Sequence, residues 1–173
     1  DIIGAHTGSM IAVELALLRP ERVKHVVLVT ASVHTDADIT RLRERNTVDP
    51  PDAAGAMILQ AWQHQVERRD PRATLDDVMR KFPDYLIGGD KRVWGQVAAF
   101  AYHMDRRIGS VTAPIMVINP RGDLYEPTLR VADYLKNGRV INRPDWGPSL
   151  IQYDTVAAAA MFRAFFDEDR YPA

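Results

Sequence analysis

The sequence predicts an α/β fold in which a parallel sheet is interrupted by a helical insertion. Three observations carry that prediction. The run Val26-Val27-Leu28-Val29 is apolar on both faces, as a central parallel strand must be, and Ile115-Met116-Val117-Ile118 repeats the pattern. Residues 1–34 read as strand, tight turn, helix, strand, the order of a βαβ unit. Between the two apolar runs lies a stretch rich in Arg, Asp and Gln whose apolar residues fall at helical intervals.

The elements follow in order. Asp1 to Ala5 suits a buried strand closing on a glycine-containing turn. From Gly8 to Arg19, the residues Ile11, Leu15 and Leu18 recur at helical spacing, with Ala12 and Ala16 beside them. Pro20 ends that helix, because it lacks an N–H and its ring clashes with the preceding turn. His25 to Ala31 forms the second strand. Helices are expected over Asp36–Arg45, Ala53–Arg69, Thr74–Phe82 and Asp90–Asp105, separated by Pro50-Pro51, Pro71, Pro83 and Gly88-Gly89. Pro114 introduces the third strand. Pro127 to Lys136 reads as a helix with proline in its first turn and Gly138 as its stop. Arg139 to Asn142 is a last short strand, and Thr155 to Phe166 a closing helix. The expected division is a βαβ unit over 1–34, a helical cap over 35–107, and the rest of the α/β core over 108–173.

Composition narrows the function classes. At 173 residues and 46% apolar content, the chain can build one real core. Acidic and basic residues nearly cancel at 23 against 22, and Arg68-Arg69 and Arg106-Arg107 are short clusters, so no nucleic-acid stripe or polybasic anchor is present. The absence of cysteine excludes disulfides and a thiolate nucleophile. No apolar run approaches the roughly 18 to 20 residues that span a bilayer, and a soluble, cytoplasmic protein is expected. The opening at Asp1, directly into Ile2-Ile3, is expected of a piece of a longer protein. No His or acidic pattern suits a metal, and Gly4 and Gly8 lack the further Gly, the Lys and the acidic partner of a nucleotide loop, so neither metal nor cofactor is expected.

Chemistry concentrates in Asp-Ile-Ile-Gly-Ala-His-Thr-Gly-Ser-Met, residues 1 to 10. Gly4 and Gly8 each stand two positions from His6, the Gly-x-Nu-x-Gly spacing of a nucleophile elbow between strand and helix. Small neighbours let strand and helix approach, so that the central side chain projects from a strained turn. The N–H of the next residue, Thr7, then lies at a helix N-terminus, placed to serve an oxyanion hole.

This turn resembles that of the α/β-hydrolase family. The resemblance extends to Pro-Glu-Arg-Val-Lys at 20 to 24, to Ala-Pro-Ile-Met-Val-Ile-Asn-Pro-Arg-Gly-Asp at 113 to 123, and to Arg-Pro-Asp-Trp-Gly-Pro-Ser at 143 to 149. It covers nearly the whole chain except the helical middle, which corresponds to the family's variable cap. The resemblance implies a hydrolase acting on a small molecule, with His6 at the position usually held by Ser, Asp or Cys. It implies Asp123 as the catalytic acid and Thr7 as an oxyanion donor. Pro148 follows Gly147 where the family carries its histidine, so the ordinary Ser-His-Asp relay is absent from these positions. Further strands of the same fold, N-terminal to the first strand here, are the implied structural partner; without them that strand has an uncovered edge.

Each candidate has a plainer reading beside the chemical one. His6 serves as base or nucleophile, or merely lines a pocket. Ser9 is a rival nucleophile, but a small residue in the first helical turn suits close packing. Asp123 orients a base, with His6 as its dyad partner, or simply stabilises a turn. His34, His64 and His103 fit packing or surface roles, and His25 a structural one. Trp62, Trp94, Trp146, Phe82, Tyr85 and Phe100 line an apolar cavity under the cap, or are core. Two function classes remain: a hydrolase of a small ester, amide or related substrate with an atypical triad, and an inactive relative that binds a small apolar ligand or a protein partner.

Overall fold

A computed structural model describes residues 1–47, 50–147 and 149–172. Its centre is a four-stranded, all-parallel sheet in the order β1-β2-β3-β4: β1 is Ile2–Ala5, β2 Val26–Val29, β3 Ile115–Pro120 and β4 Gly138–Arg143. Register pairs Ala5 with Val29, Val29 with Ile118, and Ile118 with Ile141, so the C-terminal ends of all four strands share one edge. Successive residues of a strand face opposite sides, and the core divides accordingly. Val26, Leu28, Ile115 and Val117 join Val13 and Ala16 of helix α1 (Thr7–Leu18) on one face. Val27, Val29, Met116 and Ile118 pack on the other face against Ala158, Met161 and Phe165 of the closing helix, Thr155–Glu168. Both faces are covered, which is why β2 and β3 are apolar at every position but the last two of β3.

Between β2 and β3 run α2 (Asp36–Arg45), α3 (Ala56–Glu67), α4 (Leu75–Ile87), α5 (Trp94–Ala101) and the short α6 (Met104–Arg107). Two starts are set by reciprocal capping. The Thr35 hydroxyl accepts from Asp38 N at 3.1 Å while the Asp38 carboxylate accepts from Thr35 N at 3.1 Å, and Thr74 and Asp77 repeat the arrangement at 3.2 and 2.8 Å. The insertion meets the sheet layer through Glu14 of α1, which accepts from the Tyr102 hydroxyl at 2.7 Å and from Arg107 twice at 2.8 Å. After β3 come α7 (Tyr125–Leu129), then β4, α8 (Leu150–Tyr153) and α9, the closing helix Thr155–Glu168.

Several expected boundaries are corrected. Pro83 lies inside α4 and does not end it, forgoing the backbone bond that a prolyl nitrogen cannot donate. The expected helix Asp90–Asp105 is divided: Gly89–Val93 is 3-10, α5 stops at Ala101, and extended Tyr102 turns toward Glu14 before α6 begins. The expected helix Pro127–Lys136 is α7 followed by the 3-10 turn Arg130–Asp133. Gly138 stops no helix; it opens β4, where a Cβ would lie 2.9 Å from that of Ile115. Among the described residues, no helix is long and apolar enough to cross a membrane.

Candidate functional site

The turn from β1 into α1 places His6 at φ 52° and ψ −117°, in backbone that only glycine adopts freely. Gly4 makes the turn possible. A Cβ there would lie 2.7 Å from the carbonyl carbon of Gly8 and 2.9 Å from Ser9 Cα. Gly8 differs from the sequence expectation, since nothing lies within 4 Å of a Cβ built on it, so close packing does not require glycine at that position. His6 N donates to Val29 O at 3.0 Å, and Ser9 N closes the turn onto His6 O at 3.0 Å. Thr7 N–H, the first of the helix, meets no acceptor among the described residues.

His6 is an exposed residue, yet the protein packed around its ring desolvates the imidazole and lowers its pKa below the ordinary 6.5. The neutral imidazole is therefore the folded-state form near neutrality. The unfolded chain binds the proton more readily, so this group erodes stability as pH falls from the ordinary value toward the folded one. Among the described residues, the ring's hydrogen-bond partner is the Thr30 hydroxyl, at 3.4 Å from Nδ1.

Ser9 takes the structural role. It is fully buried, and its hydroxyl lies 3.1 Å from Gly4 O and 3.3 Å from Val29 O, bridging β1, α1 and β2. Ser9→Ala is expected to cost about 1 kcal/mol in a urea titration and to leave any esterase activity unchanged; loss of activity at full stability would restore Ser9 as a nucleophile.

Asp123 sits in the turn after β3 with its side chain 70% exposed, ion-paired to Arg68 at the end of α3. It shares no hydrogen bond with His6. The two follow β1 and β3, with β2 between them, roughly 10 Å of sheet width apart. Pro148, at the late position, lies outside the described residues. The loop before it is anchored by Trp146, which is 3% exposed under the Arg143 guanidinium at 3.7 Å from the ring centroid.

The other candidates scatter. His25 is buried between Asp1 and Asp169, its ring nitrogens 2.9 and 2.6 Å from their carboxylates, at the opposite edge of the sheet. His34 meets Phe100 edge-on at 5.7 Å, and His103 stands 3.8 Å from Asp105. The aromatics do not gather around one cavity. Trp62, Phe82 and Tyr85 pack together inside the insertion, Trp94 is 62% exposed beside Lys91, and Trp146 joins the sheet core. Clefts of about 370 and 350 Å³ lie along β4 and beside His34, and neither is lined by His6. No group of His, Asp or Glu suited to a metal occurs among the described residues.

Thr30 and Asp70 escaped the sequence reading. Thr30 is the neighbour of His6 only through the parallel register of β1 and β2, although its place just after an apolar run is legible. Asp70 has a side chain 1% exposed, held by Arg72 between the insertion and the late loop.

No family model matches the sequence, and no curated protein does. Solved structures do. BpoC of Mycobacterium tuberculosis H37Rv is 21% identical, with 95% of this chain covering 66% of that one at a TM-score of 0.64. The meta-cleavage product hydrolase CumD of Pseudomonas fluorescens IP01 is 16% identical, with 98% covering 65% at 0.69. MenH of S. aureus is 12% identical, with 96% covering 67% at 0.67. At these identities the likeness defines architecture: the chain has a partial α/β-hydrolase fold, four parallel strands with their helices. It spans about two thirds of its neighbours' length.

Proposed function

We propose that this chain carries the reacting edge of an α/β-hydrolase-type enzyme that cleaves a small ester or amide at the His6 turn. The observation behind the reading is the strained backbone of His6 at a strand-to-helix junction, followed by a Thr7 N–H that has no partner among the described residues. In such a site water adds to the substrate carbonyl carbon, and the carbonyl oxygen gains negative charge that the Thr7 N–H is placed to stabilise. The alcohol or amine leaves with a proton. His6, neutral near pH 7, exchanges a proton or a hydrogen bond with the reacting carbonyl group. The helices of the insertion form the cap over this edge.

The walls opposite His6 belong, on this reading, to further strands of the same fold that pair with β1. Ile3 is 46% exposed on that edge, with Ile11 and Leu15 of α1 exposed beside it. A second reading, a ligand-binding relative without turnover, is favoured by one fact: the Asp123 carboxylate is taken by Arg68 and does not orient His6.

Turnover of a short-chain aryl ester separates the two. The native protein is expected to exceed buffer, and His6→Ala to lose at least about 100-fold. An acid limb is expected below the ordinary imidazole value of 6.5, because the lowered pKa keeps His6 neutral down to that range. Equal, buffer-level rates for both proteins reject the enzyme reading and leave the binding one.

A further inference from the structure

Thr30 stands directly after β2, 4% exposed, with φ 60°. A β-branched residue in left-handed backbone is a genuine outlier, costing about 1–2 kcal/mol. Its N–H is committed to Ile118 O at 2.9 Å, which holds the strained backbone in place from the side of β3. His6 and Thr30 are thus two non-glycine residues in left-handed backbone, side by side at the ends of adjacent strands, with side chains in contact. Strain of this kind persists where the surroundings over-determine it, and it clusters at working sites.

We propose that Thr30 is a positioning residue that holds His6 in the tautomer protonated on Nε2, so that the imidazole meets a ligand's carbonyl or carboxylate oxygen as a neutral hydrogen-bond donor. The proposal rests on the reading of the His6 turn as the site and narrows it from proton exchange to donation. The argument is an inventory of donors. A threonine hydroxyl carries one hydrogen, and a buried one needs an acceptor. Among the described residues, His6 Nδ1 is the acceptor within reach of Thr30 Oγ1, at 3.4 Å. Donation to Nδ1 uses the ring's bare lone pair, which puts the single proton of the neutral ring on Nε2. The reverse arrangement, with Nδ1–H donating to Thr30, would strand the hydroxyl hydrogen in a buried position.

Nε2 has no protein partner among the described residues and is left for a ligand. With the Thr7 N–H, likewise without an acceptor among the described residues, it makes two donors from consecutive residues of one turn. That pairing suits an oxygen that accepts hydrogen bonds, and it disfavours a cation.

The test is the nitrogen spectrum of the whole chain labelled with 15N-histidine, the His6 signals being identified by their absence in His6→Gln. The native protein is expected to show neutral His6 protonated on Nε2, with Nδ1 shifted as an acceptor. Thr30→Ser keeps the hydroxyl and is expected to keep that pattern. Thr30→Val keeps the shape and loses the hydroxyl, and the tautomer ratio is expected to fall by about fivefold, the worth of one hydrogen bond. A native His6 protonated on Nδ1 overturns the proposal without any variant being needed, and so does a folded Thr30→Val with an unchanged ratio. Ester turnover is read separately. Silence there with the expected tautomer sinks the enzyme reading alone, and turnover that depends on His6 with an unchanged ratio in Thr30→Val sinks the positioning role alone.

Discussion

Gly4→Ala is expected to cost about 4 kcal/mol or more, a large part of the stability of a domain this size, and to leave the chain insoluble or unfolded at low urea. The added methyl meets backbone: the Gly8 carbonyl group, with its carbon at 2.7 Å, and Ser9 Cα at 2.9 Å. Flexible side chains can turn aside, but these atoms belong to the first turn of α1, which is pinned by the Ser9 hydroxyl against both Gly4 O and Val29 O. Relief therefore requires α1 to lift from the sheet, opening the face where Val13 and Ala16 meet Val26 and Leu28. Gly8→Ala provides the control. Its Cβ enters open space, and removing a glycine from a helix is worth about 0.5–1 kcal/mol, so this variant should match or exceed the native protein. Urea titrations followed by circular dichroism compare them. Equal midpoints for the two variants would mean that strand and helix are not in the close contact described.

The two glycines of the Gly-x-His-x-Gly pattern look equivalent in the sequence and differ in the fold, which shows where sequence reading stops. The apolar runs of β2 and β3 were legible because both faces of an interior strand are buried, and nothing but composition is needed to see that. Helix ends in the insertion were less so. Thr35-x-x-Asp38 and Thr74-x-x-Asp77 are local signals that mark two starts. The break at Tyr102, by contrast, depends on Glu14, 88 residues away. At the candidate site, the strained turn at His6 was legible from its glycine frame. Thr30 was not, since it becomes a neighbour only when β1 and β2 pair in register. Asp123 was placed correctly after its strand, yet its partner Arg68 lies 55 residues upstream, and no spacing rule reaches that far.

The late loop, where the resemblance to α/β hydrolases implies a catalytic histidine, instead carries a structural contact with the insertion. Gly147→Ala should break it. A Cβ on Gly147 runs into Asp70 Oδ2 and lies 3.4 Å from Asp70 Cγ. Asp70 cannot swing away cheaply: its carboxylate accepts from Arg72 Nε at 2.9 Å, Nη2 at 3.0 Å and the backbone N at 3.0 Å, while Arg72 also grips Asp154 twice at 2.9 Å. Nor can the loop retreat, because Trp146 O accepts from Arg121 N at 2.9 Å and the indole is buried. The expected cost is about 1–3 kcal/mol, expressed locally, so that hydrogen exchange quickens between α3 and α4 while β2 and β3 stay protected. Acid should act on the same contact. Arg72's hydrogen bonds hold the Asp70 carboxyl below the usual carboxylate range. Its stabilisation is therefore complete above the unfolded value of 3.8 and is lost as pH falls through the lower folded value. Two perturbations of one contact are not additive, so the difference between native and Gly147→Ala exchange should shrink in acid. A difference that persists undiminished once Asp70 is protonated, or exchange that quickens evenly over the sheet, would show that this contact does not hold the insertion to the core.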